Sequence, residues 1–419
     1  MKIIVLGAGV IGVSTAYFLA RDGHQVTVID RQPAAGLETS FANGGQVSAS
    51  HAQPWSNPAT LMKLAGWLGR KNAPLYFRFR WDPAMWGFFL RFLSACRPGP
   101  SHDNGLKALK LALYSRETLA QLRAETGIQF DAADRGVLHV FRSDRDLERA
   151  ATVADRFREF GLATEALNRD PCIAMEPALS STQETLAGGI YSPGDLSGDA
   201  HAFTQALAGL AADAGVEFRM DTKILRLAQM GGRITGVLTQ YSMVTADAYV
   251  CALGSYSTPL LAAIGIRLPI YPAKGYSVTV PITATNRAPQ VSITDDDAKI
   301  VVSRLGNKLR VAGTAEFAGY DTNINAPRAR AVLEAGLRLF PGAMDEEGAE
   351  YWAGLRPLTP DCIPVIGGTK LSNLYLNTGH GTHGWTMGPG SGKALAELIS
   401  GTSPTVDLSP YEGERFLGF

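Results

Sequence analysis

The first thirty residues of the chain admit very few folds. Residues 2–6 are a short apolar run of the buried-strand kind, and Gly7, Gly9 and Gly12 then spell GxGxxG. Residues 10–21 carry a helical pattern stopped at Gly23, and residues 25–30 read as a second buried strand ending on Asp30. Strand, turn, helix and strand with no spare residues form a βαβ unit. Gly7 permits the tight turn, Gly9 lets the backbone approach a pyrophosphate, and Gly12 lets the helix lie close to the sheet. The amides around Val10 and Ile11 open a helix whose positive dipole end attracts phosphate. Asp30, eighteen residues after Gly12, stands where a carboxylate accepts hydrogen bonds from ribose hydroxyls. It argues against a 2′-phosphorylated dinucleotide, although the adjacent Arg31 would suit one.

That unit is a small part of 419 residues, a length that calls for two domains. Residues 105–125 and 144–160 read as helices, and 136–141 as a strand. α/β texture returns in a helix at 201–214 and strands at 216–219 and 248–252. Residues 276–280, 299–304 and 308–312 read as antiparallel strands, the last two flanking a Gly306-Asn307 turn, and 327–340 as a helix. The end reads as a strand at 374–377, a glycine-rich loop, and a helix from about residue 392. The expected fold class is therefore α/β: a discontinuous Rossmann-like cofactor domain from 1–53, 198–265 and 348–419. An α+β substrate domain with a mixed or antiparallel sheet, 54–197 and 266–347, is inserted into it. The helix at 105–126 is free to pack on the cofactor domain.

Composition removes several functions. Lys plus Arg and Asp plus Glu both number 39, so no electrostatic footprint for nucleic acid exists. Cys96, Cys172, Cys251 and Cys362 are scattered, with no CxxC or Cys/His spacing, so neither a metal site nor a redox dithiol is expected. Reduced thiols and no signal peptide ahead of residue 3 suggest a cytoplasmic protein. No apolar run approaches the ~20 residues of a membrane span.

FAD rather than NAD follows from two further segments. Gly379, His380, Gly381 and Thr382 lie between a strand and a helix, where amides can face the flavin N1 and C2 carbonyl. Residues 250–254 form a buried strand ending at Gly254, beside which an adenosine or pyrophosphate can lie. One large cofactor touched by both chain ends accounts for all three glycine segments.

With these motifs assembled, the chain resembles the D-amino acid dehydrogenase small-subunit family, within the wider glycine oxidase and sarcosine oxidase superfamily. The resemblance spans nearly the whole chain. It is carried by GAGVIGVSTAYFLA (7–20), ETSFANGGQVS (38–48), YPAKGYSVTVP (271–281), GLRPLTPDCIPVIG (354–367) and LNTGHGTHGWTMGPGSG (376–392). It implies that Thr39, Ser40, Asn43, Gly44, Gly45 and Gln46 line the flavin and pyrophosphate, and that Ile224 contacts the adenine through its backbone. It also implies that Arg356, in Gly-Leu-Arg-Pro, holds a substrate carboxylate. That role suits a planar, permanently charged fork; the plain alternative is a structural ion pair. Some relatives attach flavin through a cysteine, but this chain has Gly354 in the corresponding stretch, so FAD is expected to be non-covalent.

The activity implied is oxidative deamination of D-amino acids to 2-oxo acids and ammonia, with hydride transfer from Cα to flavin N5 and no obligatory acid–base side chain. Tyr276, His51 and His383 are further substrate-site candidates. His383 stands where the family pattern has an aliphatic residue. Alternatives are an oxidase or dehydrogenase of glycine, sarcosine or a cyclic imino acid, and a redox-inactive flavin-binding assembly subunit. A quinone is the expected electron acceptor. Trp81, Trp86, Phe88, Phe89 and Phe92, interleaved with Arg78, Arg80 and Arg91, are then either a peripheral contact with the inner face of the cytoplasmic membrane or ordinary core helix.

Overall fold

The computed structural model describes residues 1–67, 74–78 and 80–416. Residues 68–73 and 79, part of the aromatic- and Arg-rich stretch, and 417–419 lie outside the described residues.

The opening unit forms as its sequence dictates. Strands Lys2–Leu6 and Gln25–Ile29 pair in parallel, and helix α1 (Val10–Arg21) crosses between them. They sit in a six-stranded sheet ordered Val365–Gly368, Leu374–Thr378, Ala248–Cys251, Lys2–Leu6, Gln25–Ile29, Glu217–Arg219. Only the Val365–Gly368 edge strand runs antiparallel to its neighbour. The central strands are buried along almost their whole length, as parallel strands covered on both faces must be.

The second sheet is mixed. Its order is Glu350–Leu358, Tyr271–Pro281, Lys308–Phe317, Ile300–Leu305, Ser292–Asp295, Val137–Phe141, Gly188–Ser192, Glu165–Asn168, with Leu75–Phe77 pairing off Lys308–Phe317. Glu350–Leu358 falls within the 348–419 segment yet takes its ladder from Tyr271–Pro281, with Arg356 opposite Ala273.

Helices pack over these sheets. α2 (Pro83–Ala95) is capped by Asp82, whose side chain accepts from the amides of Ala84 and Met85. It buries Met85, Phe88 and Phe92 inwards, while Leu90 is 71% exposed and Trp81, just ahead of it, 92%. The expected aromatic face therefore divides between core and surface. α3 (Pro98–Thr126) begins seven residues earlier than its pattern implied, because Pro98 starts the helix and Gly105 is accepted within it.

α4 (Gly384–Ile399) corrects the expectation of a loop up to about residue 392. Its early glycines are helical contact points rather than turn residues. A Cβ at Gly390 would lie 2.6 Å from the Ser115 Cα on α3, and one at Gly392 would lie 2.8 Å from the Thr15 amide on α1. The Ser115 hydroxyl even accepts the Gly390 amide, at 2.9 Å. Three backbones meet where side chains would hold them apart.

Candidate active site

A cavity of about 750 Å³ opens between the two sheets, within the ~300–1,000 Å³ usual for small-molecule and cofactor sites. Gly7, Gly9, Val10 and Ile11 line it, as do Asp30, Arg31, Thr39, Ser40, Asn43, Gly44, Gly45 and Gln46. So do Ile224, Gly254, Gly379, His380, Gly381, Thr382 and the substrate candidates His51, Tyr276, Arg356 and His383. Of the sequence-derived candidates, only Gly12 lies off this wall, beneath the loop. A Cβ there would collide with the Gly7 carbonyl, so its bareness lets the loop fold back on α1.

The glycine loop is tied from two sides. Gly7, at φ +107°, donates its amide to the Ile29 carbonyl at 2.9 Å. Asp30 accepts the Ala8 amide at 2.7 Å and the Gln32 amide at 2.8 Å. Burial raises the Asp30 carboxyl above its usual range even against those amides. Ser40 accepts the Val10 amide at 3.0 Å, and Val13 bonds to Gly9. The Ile11 and Gly12 amides are left without a protein acceptor among the described residues. Gly9 provides no capping side chain, and a Cβ on it would meet only Ser40 Oγ, at 3.5 Å. This is an open anion cradle at a helix N-terminus. α4 likewise starts on the cavity wall with no side-chain cap. Two uncapped helix ends over one cavity, with an acid at the end of the second strand, fit a dinucleotide-type cofactor.

The remaining flavin-segment candidates are fixed by local bonds. Thr39 donates to the Leu355 carbonyl at 3.0 Å, and Asn43 accepts the Gly45 amide at 2.9 Å. Ser303 donates to the Gly44 carbonyl at 2.7 Å, and Gln46 reaches Ser292 at 2.9 Å. Arg31 bonds Glu38 at 2.6 Å and lies 3.9 Å over the Tyr256 ring. Neither Glu38 nor Tyr256 stood out in the sequence, since their roles depend on Arg31 folding towards them. The Trp352 indole covers Gly354 so closely that a side chain there would overlap it.

Arg356 differs from every other cation lining the cavity. Its Nη1 donates to the Thr314 carbonyl at 2.9 Å, its guanidinium lies 6.0 Å from the Trp55 ring centre, and no carboxylate pairs with it among the described residues. Burial alone holds it down at about 10. Its guanidinium occupies the space a side chain on Gly275 would need. An unpaired, desolvated, forked cation on a cavity wall is a receptor for an anion.

Tyr276 has its hydroxyl already engaged. It lines the cavity, but its hydroxyl donates to Glu316 at 2.5 Å within a buried group that includes Lys274 and Arg328. Burial first, and the Glu316 bond second, raise its pKa well above the phenol range. His51, His383 and the unanticipated His139 meet on the wall, with ring centres 5.2 Å and 6.0 Å from His51. His139 sits in an apolar strand, and nothing local marked it.

Burial pushes His51 and His380 down to about 3 and also lowers His383. The His51 and His380 imidazoles are neutral in the fold but take up protons near ~6.5 once unfolded. Stability is therefore whole above that value and lost as pH falls from there towards about 3. We expect the urea midpoint to drop between about pH 7 and about pH 5, and to drop less in His380→Gln. Equal drops in both proteins would remove His380 from the effect.

The FAD dependent oxidoreductase family matches residues 2–398. The chain is 52% identical over 420 residues to the D-amino acid dehydrogenase of Paramagnetospirillum magneticum, covering 100% of both chains. It is 52% identical over 410 residues to that of Dechloromonas aromatica, covering 96% of this chain and 98% of the relative. Its fold is similar to glycine oxidase from Geobacillus kaustophilus, with a TM-score of 0.75, 24% identity and 100% of each chain covered. It is similar also to L-proline dehydrogenase from P. horikoshii, with a TM-score of 0.75, 20% identity, and 99% and 97% covered. With a cofactor-shaped cavity built on the opening βαβ unit and half its residues shared with such relatives end to end, the chain belongs to the FAD dependent oxidoreductase family.

Proposed function

We propose that this chain is an FAD-dependent D-amino acid dehydrogenase that converts its substrate to a 2-oxo acid and ammonia. The observation that carries this reading is the half-buried, carboxylate-free guanidinium of Arg356 on the same wall as the glycine loop. FAD, held non-covalently, would supply acceptance of a hydride from the substrate Cα at flavin N5. The Ile11 and Gly12 amides would hold its pyrophosphate, Asp30 and Arg31 its ribose, and Ile224 and Gly254 its adenosine. Thr39 to Gln46 and Gly379 to Thr382 would surround the ring. We assign residues 1–53, 198–265 and 348–419 to the cofactor domain and 54–197 and 266–347 to the substrate domain, with the Glu350–Leu358 strand lending Arg356 to the second sheet.

Arg356 would take the substrate carboxylate and so aim Cα. No unpaired carboxylate faces Arg356 among the described residues, so the amine is favoured in its neutral form, with its lone pair free. Water then hydrolyses the imino acid outside any need for a protein base. Anaerobic mixing of the yellow protein with D-alanine should bleach the flavin, and acid precipitation should release it from the polypeptide. A flavin that no amino acid bleaches would instead favour the assembly-subunit reading. Oxygen consumption matching substrate oxidation would favour an oxidase.

The electrons are assigned to a quinone-type carrier. Among the described residues no helix is long and apolar enough to cross a membrane. α2 shows Leu90 and Leu93 to solvent beside exposed Arg91 and Arg97, a face suited to an anionic bilayer surface. Wild-type protein should co-sediment with anionic vesicles, and the pair Leu90→Glu and Leu93→Glu should reduce this severalfold. Undiminished sedimentation would remove α2 from the contact.

A further inference from the structure

Three histidines from distant parts of the chain converge on the wall that holds Arg356. Along that wall runs an almost continuous chain of contacts. Arg356 donates to the Thr314 carbonyl at 2.9 Å, and the Thr314 amide reaches the Lys299 carbonyl at 3.4 Å. Lys299 Nζ bonds Asp296 at 3.1 Å, and Asp296 bonds His139 Nδ1 at 3.2 Å. The His139 ring stacks on His51 at 5.2 Å and 23°. His383 Nε2 donates to the His51 carbonyl at 2.7 Å. Two residues before His383, the Gly381 amide returns to the Pro357 carbonyl at 3.0 Å, next to Arg356.

The hydrogen-bonding capacity of this group is unevenly used. His139 is held at both nitrogens, by Asp296 and by Ser50 at 3.4 Å, and His383 is held through Nε2. The His51 ring lines the cavity with neither nitrogen bonded to protein among the described residues. A neutral imidazole offers one donor and one acceptor. The charged groups here cancel: Lys299 pairs with Asp296, and Asp295 pairs with Arg142 at 2.6 Å. Around the three histidines the wall therefore has hydrogen-bonding edges but no unpaired charge.

We infer that His51, supported by His139 and His383, forms the subsite for the substrate side chain and selects polar, uncharged side chains such as amides and hydroxyls. This rests on Arg356 anchoring the carboxylate, as proposed above. An apolar side chain of similar size would be buried against a ring nitrogen left without a partner. An anionic or cationic side chain would find no unpaired counter-charge. Burial holding His51 neutral is consistent with this.

The test uses the flavin-loaded enzyme and anaerobic reduction kinetics with D-asparagine, D-leucine, D-aspartate, D-lysine and D-alanine. D-asparagine should exceed near-isosteric D-leucine by about tenfold or more in the second-order reduction rate. D-aspartate and D-lysine should also trail D-asparagine. His51→Leu should bring the asparagine-to-leucine ratio to unity or below, and His51→Gln, which keeps a donor and an acceptor, should retain most of it. A wild-type ratio near one, or a ratio that His51→Leu leaves unchanged, overturns the subsite. If His51→Leu does not fold, the wild-type ratio and His51→Gln decide, a ratio collapsed by the latter counting against us. Bleaching by D-alanine separates the two levels: where it occurs without side-chain preference, only the subsite fails. Where D-alanine and every other substrate fail, the dehydrogenase reading fails and the subsite with it.

Discussion

Arg356→Met should weaken substrate capture on the order of a hundredfold or more, ~3 kcal/mol, and leave the folded protein at least as stable as before. The two halves of this expectation have one cause. The guanidinium is half-buried, pushed down to about 10 by desolvation, and bonded to the Thr314 carbonyl without a carboxylate partner among the described residues. A cation kept in that state is a cost to the fold, relieved when an anion arrives. Methionine fills similar volume without the charge, so the fold loses a penalty while the substrate loses its fork. Titrating flavin reduction against D-amino acid concentration measures the first half, and urea denaturation without substrate the second. Arg356→Lys should recover charge but not two-point geometry, and so fall between the two. A structural ion pair would behave in the opposite way, with stability falling sharply and affinity changing little. Unaltered apparent affinity in Arg356→Met would remove this residue from the site.

How much of this was legible from residues alone depended on the distance over which each feature is decided. The opening βαβ unit was readable because its turn, helix stop and acid lie within one local stretch, each with its own steric reason. The second sheet was readable as strands but not as an order. Nothing in 350–358 announces that this strand would pair with 271–281 rather than with the parallel sheet. Arg356 stands out as a candidate through its Gly-Leu-Arg-Pro motif. The reason it can sit there, a bare Gly275 on the neighbouring strand, is visible only after folding. His139 gave no signal, because the strand containing it reads as apolar, and its partner Asp296 is 157 residues away. Tyr276 lines the cavity, yet its hydroxyl is taken by Glu316, a choice made by cross-strand neighbours.

The C-terminal glycines show the same limit most sharply, and they set up the second large effect. Isolated, Gly384 to Gly392 with Pro389 among them reads as loop, since glycine and proline both disfavour helix. The helix forms because α1 and α3 approach it so closely that only glycine fits. Gly392→Val should therefore be among the most damaging substitutions in the chain. Its Cβ alone would stand 2.8 Å from both the Ser14 carbonyl carbon and the Thr15 amide nitrogen, which are backbone atoms with no rotamer to yield. Overpacking of this kind costs ~1–3 kcal/mol where side chains can adjust, and more where helices must separate. Separation also reaches the site. α1 carries the open Ile11 and Gly12 amides at its start, and α4 begins at the 379–383 loop. Moving one helix off the other shifts both cofactor contacts together. We expect Gly392→Val to accumulate poorly, to lose most of its flavin absorbance, and to unfold at much lower urea. Gly209→Ala is the matched control: it lies within helix Ala200–Asp213, where an added Cβ would meet nothing within 4 Å, so it should gain ~0.5–1 kcal/mol and keep its flavin. Full flavin content in Gly392→Val would mean that the helix junction and the cofactor site are not coupled in this way.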